Sequence, residues 1–195
     1  MKSAMMLLFG LVLAVPALAA ETGHDHPSQY AGQETRAIKA LSAEDIAELE
    51  RGGGWGLARP AELNGVPGPA HLLEMADDID LDADQRAAIQ ALFDDMNAKA
   101  RKLGADLIAA EHDLDALFRS GVPKPEELAA AVDRAESIRR DLRYVHLAAH
   151  LDTPRHLTER QIARYNVLRG YASDPCDAVP EGHDPAMWRR HNGCN

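Results

Sequence analysis

Apolar positions along this chain fall into two long runs of helical spacing. In the first, Ile89, Phe93, Met96, Ala100, Leu103, Leu107, Ala110, Leu114 and Leu117 step alternately by four and three residues. Such stepping is a heptad seam on one helix face. It predicts a helix over residues 83–119, about 55 Å long at 1.5 Å per residue. The second run, Leu128, Ala131, Ala135, Ile138, Leu142, Val145 and Ala149, steps the same way. Ser120-Gly121-Val122-Pro123 interrupts the pattern, and Pro125 suits the first turn of the second helix. Two matched seams joined by a short turn predict a long antiparallel helical hairpin. Gly104 costs the first helix about 1 kcal/mol against Ala and is read as a close helix crossing. Tyr144, Leu147 and Leu151 add a second apolar stripe to the later helix. One face serves the hairpin partner, so this stripe calls for another surface, either the helix that follows or a second subunit.

Shorter elements flank the hairpin. Leu41-Ser42-Ala43-Glu44-Asp45-Ile46 reads as a helix start, with Ser42 as cap, Asp45 at the third helical position, and Leu41 and Ile46 as a hydrophobic staple. Gly52-Gly53-Gly54 stops that helix, and residues 55–69 are turn-rich, with Asn64-Gly65 and Pro67-Gly68-Pro69 as breakers. A short helix is expected over residues 70–78. Pro154 kinks or ends the second long helix, and Leu157-Thr158-Glu159-Arg160-Gln161 then opens another that runs to about residue 169. Thr158 can bond the Gln161 amide, Gln161 can return to the Thr158 amide, and Leu157 can meet Ile162. Leu81-Asp82-Ala83-Asp84-Gln85 is a degenerate copy upstream, with Asp82 in place of Thr and Arg86 in place of the apolar staple partner. Asp caps a helix as well as Thr does, so the role survives.

Composition agrees with an all-α fold. Aromatic residues are 5% of the chain, β-branched runs are scarce, and Ala and Leu are abundant, which disfavours sandwiches and barrels. Residues 1–19 read as a signal peptide: Lys2, an apolar stretch over residues 5–15, and a small-residue cleavage site at Ala17-Leu18-Ala19. The stretch is too short for a membrane span. Ala rather than Cys at position 20 argues against a lipid anchor. An exported, periplasmic chain without a membrane span is expected. Losing Lys2 moves the formal charge from −10 to −11, which argues against nucleic acid as a partner. The chain divides into a flexible segment over residues 20–40, a short helix with a Gly/Pro-rich segment over 41–69, a helical domain over 70–171, and a tail over 172–195. The tail holds both cysteines, Cys176 and Cys194. A disulfide is expected between them in an oxidising compartment, contributing on the order of 3 kcal/mol. His183 and His191 lie between them, but a Cys2His2 zinc set fits the spacing poorly.

Candidate chemistry is sparse. Asp77, Asp78, Asp80, Asp82 and Asp84 invite a calcium loop, yet Ala83 or Gln85 stands where Gly is needed, and Ile89 or Ala91 where Glu is needed. The acids are better placed to meet the positive end of the next helix. His24 would be the fifth mature residue, not the third that an amino-terminal copper or nickel site requires. Glu111-His112 lacks the Glu-x-x-His pattern of a di-iron site, and neither a phosphate loop nor a nucleophile elbow is present. An enzyme is not expected. Arg139, Arg140 and Arg143 form a basic cluster in an acidic chain. They read either as a stripe for acidic client segments or as a solvated face. Arg139 and Arg143 share a face with His146 and His150, away from the seam. His146 and His150 have the i, i+4 spacing that lets two imidazoles reach one ion. With His71, Glu74 and Met75 they could complete a site, Met suiting copper or nickel and Glu suiting zinc. No cofactor is required by any other feature.

Both motif copies, the leader and the hairpin between the copies resemble the periplasmic LTxxQ family, which includes Spy and CpxP type chaperones and ZraP and CnrX type metal-responsive relatives. The resemblance covers roughly residues 70–171. It implies a cradle-like helical homodimer that binds partly unfolded periplasmic proteins without ATP. The alternative it implies is a sensor or resistance protein for nickel, copper or zinc. Leu81, Asp82, Gln85, Leu157, Thr158 and Gln161 are expected to start helices and not to form the site.

Overall fold

The computed structural model describes residues 27–177 and 179–194, so the segment expected to be a leader and His24 lie outside the described residues. The chain divides at Gly32 into two units. Residues 27–32 contain a turn in which Ala31 N–H donates to the Ser28 carbonyl at 3.0 Å. Among the described residues the second unit carries seven α-helices: α1 (Ala43–Glu50), α2 (Arg59–Glu62), α3 (Pro69–Glu74), α4 (Ala83–Arg119), α5 (Pro125–Asp152), α6 (Glu159–Leu168) and α7 (Pro185–Asn192). A 3-10 turn over Thr153–His156 follows α5. Among the described residues the fold is all-α, with no strand beyond an isolated bridge between Ile38 and Leu41. None of these helices is long and apolar enough to cross a membrane.

The two heptad seams form α4 and α5, and the predicted bounds of α4 hold. Contacts between the two helices run in opposite order. Arg134 pairs with Asp113 at 2.9 Å and Arg139 with Glu111 at 2.6 Å. Leu142 shares a buried cluster with Leu107 and Ala100. Four sequence details differ. The helix expected over 70–78 ends at Glu74, and residues 77–80 are turns. One helical turn, α2, sits inside the Gly/Pro-rich segment. A helix in the tail, α7, was not foreseen, because its single turn pair carries no apolar periodicity. Ile38, near the end of the segment expected to be flexible, is buried, as is Leu41.

Two apolar clusters hold the unit together. One joins Ile38, Leu41 and Leu49 to Ala100 and Leu107 of α4 and Leu142 of α5. The other joins Leu72, Ala76, Ile79, Leu81, Ile89 and Tyr165, and so ties α3 and α6 to the start of α4. Each large apolar side chain fully buried this way contributes roughly 1.5–3 kcal/mol. The helix crossing read from Gly104 is where α1 meets α4: a Cβ there would collide with the Leu49 carbonyl oxygen. The carbonyls at the end of α1 lack helical partners. Asn97 Nδ2–H supplies one by donating to the Arg51 carbonyl at 2.8 Å, and Arg101 Nε–H donates to the Glu50 carbonyl at 3.3 Å. The tail is closed by the Cys176–Cys194 disulfide. His183 stands edge-on to Trp188 at 4.9 Å, and the Trp188 Nε1–H donates to the Pro175 carbonyl at 2.8 Å.

Gly104→Ala should destabilise the chain by about 1–2 kcal/mol. Overpacking against a backbone carbonyl costs about 1–3 kcal/mol, and better helix propensity returns only about 1 kcal/mol. A lower urea midpoint at unchanged slope is the expected result.

Candidate functional site

Both motif copies are helix starts. Asp82 accepts from Gln85 N–H at 2.8 Å and Thr158 from Gln161 N–H at 3.2 Å, while each Gln side chain accepts from its cap residue's N–H. The structure adds a link between the copies. Gln85 Nε2–H donates to Gln161 Oε1 at 2.9 Å, and Gln161 Nε2–H donates to Gln85 Oε1 at 2.9 Å. Their remaining amide protons go to the His156 carbonyl at 2.8 Å and the Asp80 carbonyl at 3.2 Å. Asp80 has φ 57°, in the left-handed region, which turns its carbonyl towards Gln161. Arg86, which departs from the apolar pattern, donates to the Leu81 carbonyl at 3.0 Å and pairs with Asp77 at 2.6 Å. Leu81 and Leu157 both belong to the second cluster.

The three arginines have different fates. Arg139 pairs with buried Glu111 at 2.6 Å and stacks over the Trp55 ring, 4.9 Å from its centroid. Its guanidinium is therefore committed inside the chain. Arg140 is exposed and pairs with neighbouring Asp141 at 2.8 Å. Arg143 is exposed, with no ion-pair partner among the described residues. Beside it, Tyr144 is 70% and Leu151 66% exposed. Two residues of the second apolar stripe are thus open to solvent, while Leu147 is half-buried.

His146 and His150 do not stand on an open polar face, as their spacing with Arg143 suggested. Both are buried, because α1 and residues 52–68 lie over that side of α5. His150 Nδ1 lies 2.8 Å from the Val66 carbonyl, which can only accept, so that nitrogen carries the proton. His146 Nε2 is buried without a hydrogen-bond partner. Burial pushes the His146 pKa down and His150 adds to this, while Glu48 and the Gly53 backbone oppose it. His71 is held elsewhere, with Nδ1 3.0 Å from Glu74 and Nε2 3.7 Å from Glu62. Met75 packs against the second cluster. The metal candidates thus fall into two groups with separate partners. Among the described residues no three His, Cys, Asp or Glu side chains are arranged to hold an ion.

Two groups of residues lie outside the sequence-based candidates. Glu62 accepts from Tyr171 Oη–H at 2.8 Å, Tyr165 Oη–H at 3.0 Å and Arg169 at 3.4 Å. Burial raises the Glu62 pKa, but the hydroxyls of Tyr171 and Tyr165, with His71 and Arg169, outweigh it and hold the carboxyl below its ordinary value. Burial and the Glu62 charge push the Tyr165 hydroxyl up. This network fastens α2 to α6. Trp55 is the other case. Its ring N–H donates to Asp45 at 2.7 Å, a bond that does most to lower the Asp45 pKa, and its backbone N–H donates to Glu48 at 2.9 Å. An isolated Trp in a glycine-rich stretch of an aromatic-poor chain was the available hint. An open groove of about 680 Å³ between α1 and α4 is lined by Glu50, Ala98, Arg101, Lys102 and Ala105 and gathers no reactive set.

No family model matches this chain, and no match is found among curated proteins or solved structures.

Two outcomes follow from this geometry. Gln161→Glu keeps an acceptor for the Thr158 amide but removes both donors and sets a carboxylate against Gln85 Oε1. It should cost about 1–3 kcal/mol at neutral pH, partly regained when the carboxyl protonates, as read by urea unfolding at pH 7 and pH 4. His146 has a folded-state pKa below its ordinary 6.5, so the unfolded chain binds more protons as pH falls. Stability is full above pH 6.5 and is lost as pH drops through 6.5 towards the folded value. His146→Gln should flatten that segment of the profile. Asp45 and Glu62 also have lowered pKa values and lose their contribution as pH falls below 3.8 and 4.5.

Proposed function

We propose that the chain is an exported, ATP-independent chaperone or envelope-stress adaptor of the periplasmic LTxxQ type. In this reading α4 and α5 form an antiparallel hairpin, two copies make a cradle-like homodimer, and no catalytic step is involved. The observation that carries the proposal is the outer face of α5. Tyr144 and Leu151 are largely exposed, and Arg143 stands beside them without an ion-pair partner among the described residues. At 100° per residue, Arg143, Leu147, Arg140, Leu151 and Tyr144 follow one another around a single flank of the helix. Exposed apolar groups interleaved with cations suit weak, reversible capture of partly unfolded chains. Burial of client apolar surface supplies the affinity, and the arginines raise the encounter rate with acidic segments. Both motif copies support the family reading as paired capping boxes that join the two ends of the helical domain.

The test is suppression of light scattering by an unfolding client protein at substoichiometric chain. Tyr144→Ser with Leu151→Ser should weaken suppression by about tenfold, and Arg143→Glu should reduce it most at low salt. Thermal stability should hardly move, because these side chains are exposed and bury little in the chain itself. Wild-type chain that fails to suppress aggregation at several-fold excess would overturn the reading.

A further inference from the structure

The tail beyond residue 172 is held together by different means from the helical domain. Its helix α7 has 8 residues, none of them buried, and Met187 is 66% exposed. No buried apolar face fixes α7 to the body of the chain, and a helix shorter than about 12 residues is marginal in water on its own. The contacts that do hold it are local. Asp184 caps its start by accepting from Met187 N–H at 2.7 Å, and Asn192 Nδ2–H donates to the Trp188 carbonyl at 2.9 Å. Cys194 N–H closes its end on the Arg189 carbonyl at 2.9 Å. Trp188 reaches back to Pro175 and His183. These partners all lie within residues 175–194, nearly the same stretch that the Cys176–Cys194 disulfide closes. Two contacts come from α6. Arg164 pairs with Asp174 at 3.6 Å, just before the closed stretch. The Arg160 guanidinium lies against the end of α7, where a Cβ on Gly193 would come within 2.9 Å of Nη2. A cation there meets the negative end of the helix dipole.

We propose that the tail is a redox-sensitive strap: the disulfide keeps α7 folded against Arg160, and reduction by a dithiol melts α7 while α1 to α6 stay in place. This goes beyond the client-binding reading and does not rest on it. Joining residues 18 positions apart takes conformations away from the unfolded tail. Without that crosslink the short helix has only its cap, its ring contacts and one cation to set against the entropy of ordering 8 residues. The body does not depend on the bond, because both apolar clusters are built from residues before 172. Cys176 is exposed and Cys194 half-buried, so Cys176 is the more accessible of the two. A thiolate of the dithiol bonds to Cys176 Sγ, and Cys194 leaves as the thiolate. The second thiolate of the reductant then displaces Cys176. Two electrons and two protons pass to the cysteines, and the dithiol becomes a disulfide. Melting of α7 takes the helix end away from Arg160, so the oxidation state of the tail decides whether that guanidinium faces α7 or solvent.

The experiment is amide hydrogen exchange, read by mass spectrometry on the full mature chain with and without dithiothreitol. Two thiols trapped by alkylation show that reduction is complete. Amides of residues 187–194 should exchange about tenfold faster after reduction, while α4 and α5 keep their protection. Cys176→Ser with Cys194→Ser should show the fast tail without reductant and no further change with it. Arg160→Ala should speed tail exchange about two- to fivefold in the oxidised chain and leave the reduced chain unchanged. Unchanged tail exchange after complete reduction would overturn the proposal. So would a parallel loss of protection in α4 and α5, or a bond that dithiothreitol reaches only when the whole chain unfolds. No effect of Arg160→Ala in the oxidised chain overturns the docking of α7 on Arg160. Should the double variant fail to fold, the wild-type chain still decides.

Discussion

The reciprocal amide pair between Gln85 and Gln161 is the constraint on which this arrangement turns. A glutamine side chain offers two protons and two lone pairs, and here both are fully used. Each amide accepts from its own helix cap and from the other glutamine, and donates to the other glutamine and to one backbone carbonyl. The bonds at Asp80 and His156 fix the turns that lead into α4 and α6. The cluster around Ile89 and Tyr165 then packs beneath the junction, so polar and apolar contacts select the same relative placement of the two helix starts. Neither alone would be as specific: apolar packing tolerates sliding, whereas a pair of matched amides does not.

From that junction the long helices extend beyond their support. Ala100, Leu107 and Leu142 are covered by α1 and its leading residues, but towards the interhelical turn the seam thins. Leu114, Leu117 and Leu128 are only half-buried, and Phe118 and Val122 are exposed. Local opening should be easiest at that end, where few apolar contacts oppose it. Charge on α5 runs the other way along the helix. Arg139 is neutralised by a buried carboxylate, and a few residues later Arg143 faces solvent.

Elements that depend on local spacing were legible in the sequence. The seams gave both long helices, the cap residues gave the starts of α1, α4 and α6, and Gly104 gave a crossing, though not its partner, the Leu49 carbonyl. Contacts that depend on distant partners were not legible. Glu62 is fixed by Tyr165 and Tyr171, roughly a hundred residues later, and nothing periodic connects them. Spacing placed Arg139, His146 and His150 on one face of α5 correctly, but spacing is silent on what covers a face. The Gly/Pro-rich segment that covers it has no periodicity to read, so two buried histidines looked like solvent-facing ones.

The separation of the two glutamines also bears on how the chain comes to its final form. They are 76 residues apart, and most of the intervening chain belongs to two helices joined by a short turn. Those helices are built from local contacts, which form early because little chain entropy is lost in closing short loops. Until they align, Gln85 and Gln161 are too far apart to meet. The amide pair therefore ties together two chain segments that the whole length of α4 and α5 separates in sequence. Whatever the order of events, that tie can form only once residue 161 is available, near the end of the helical domain.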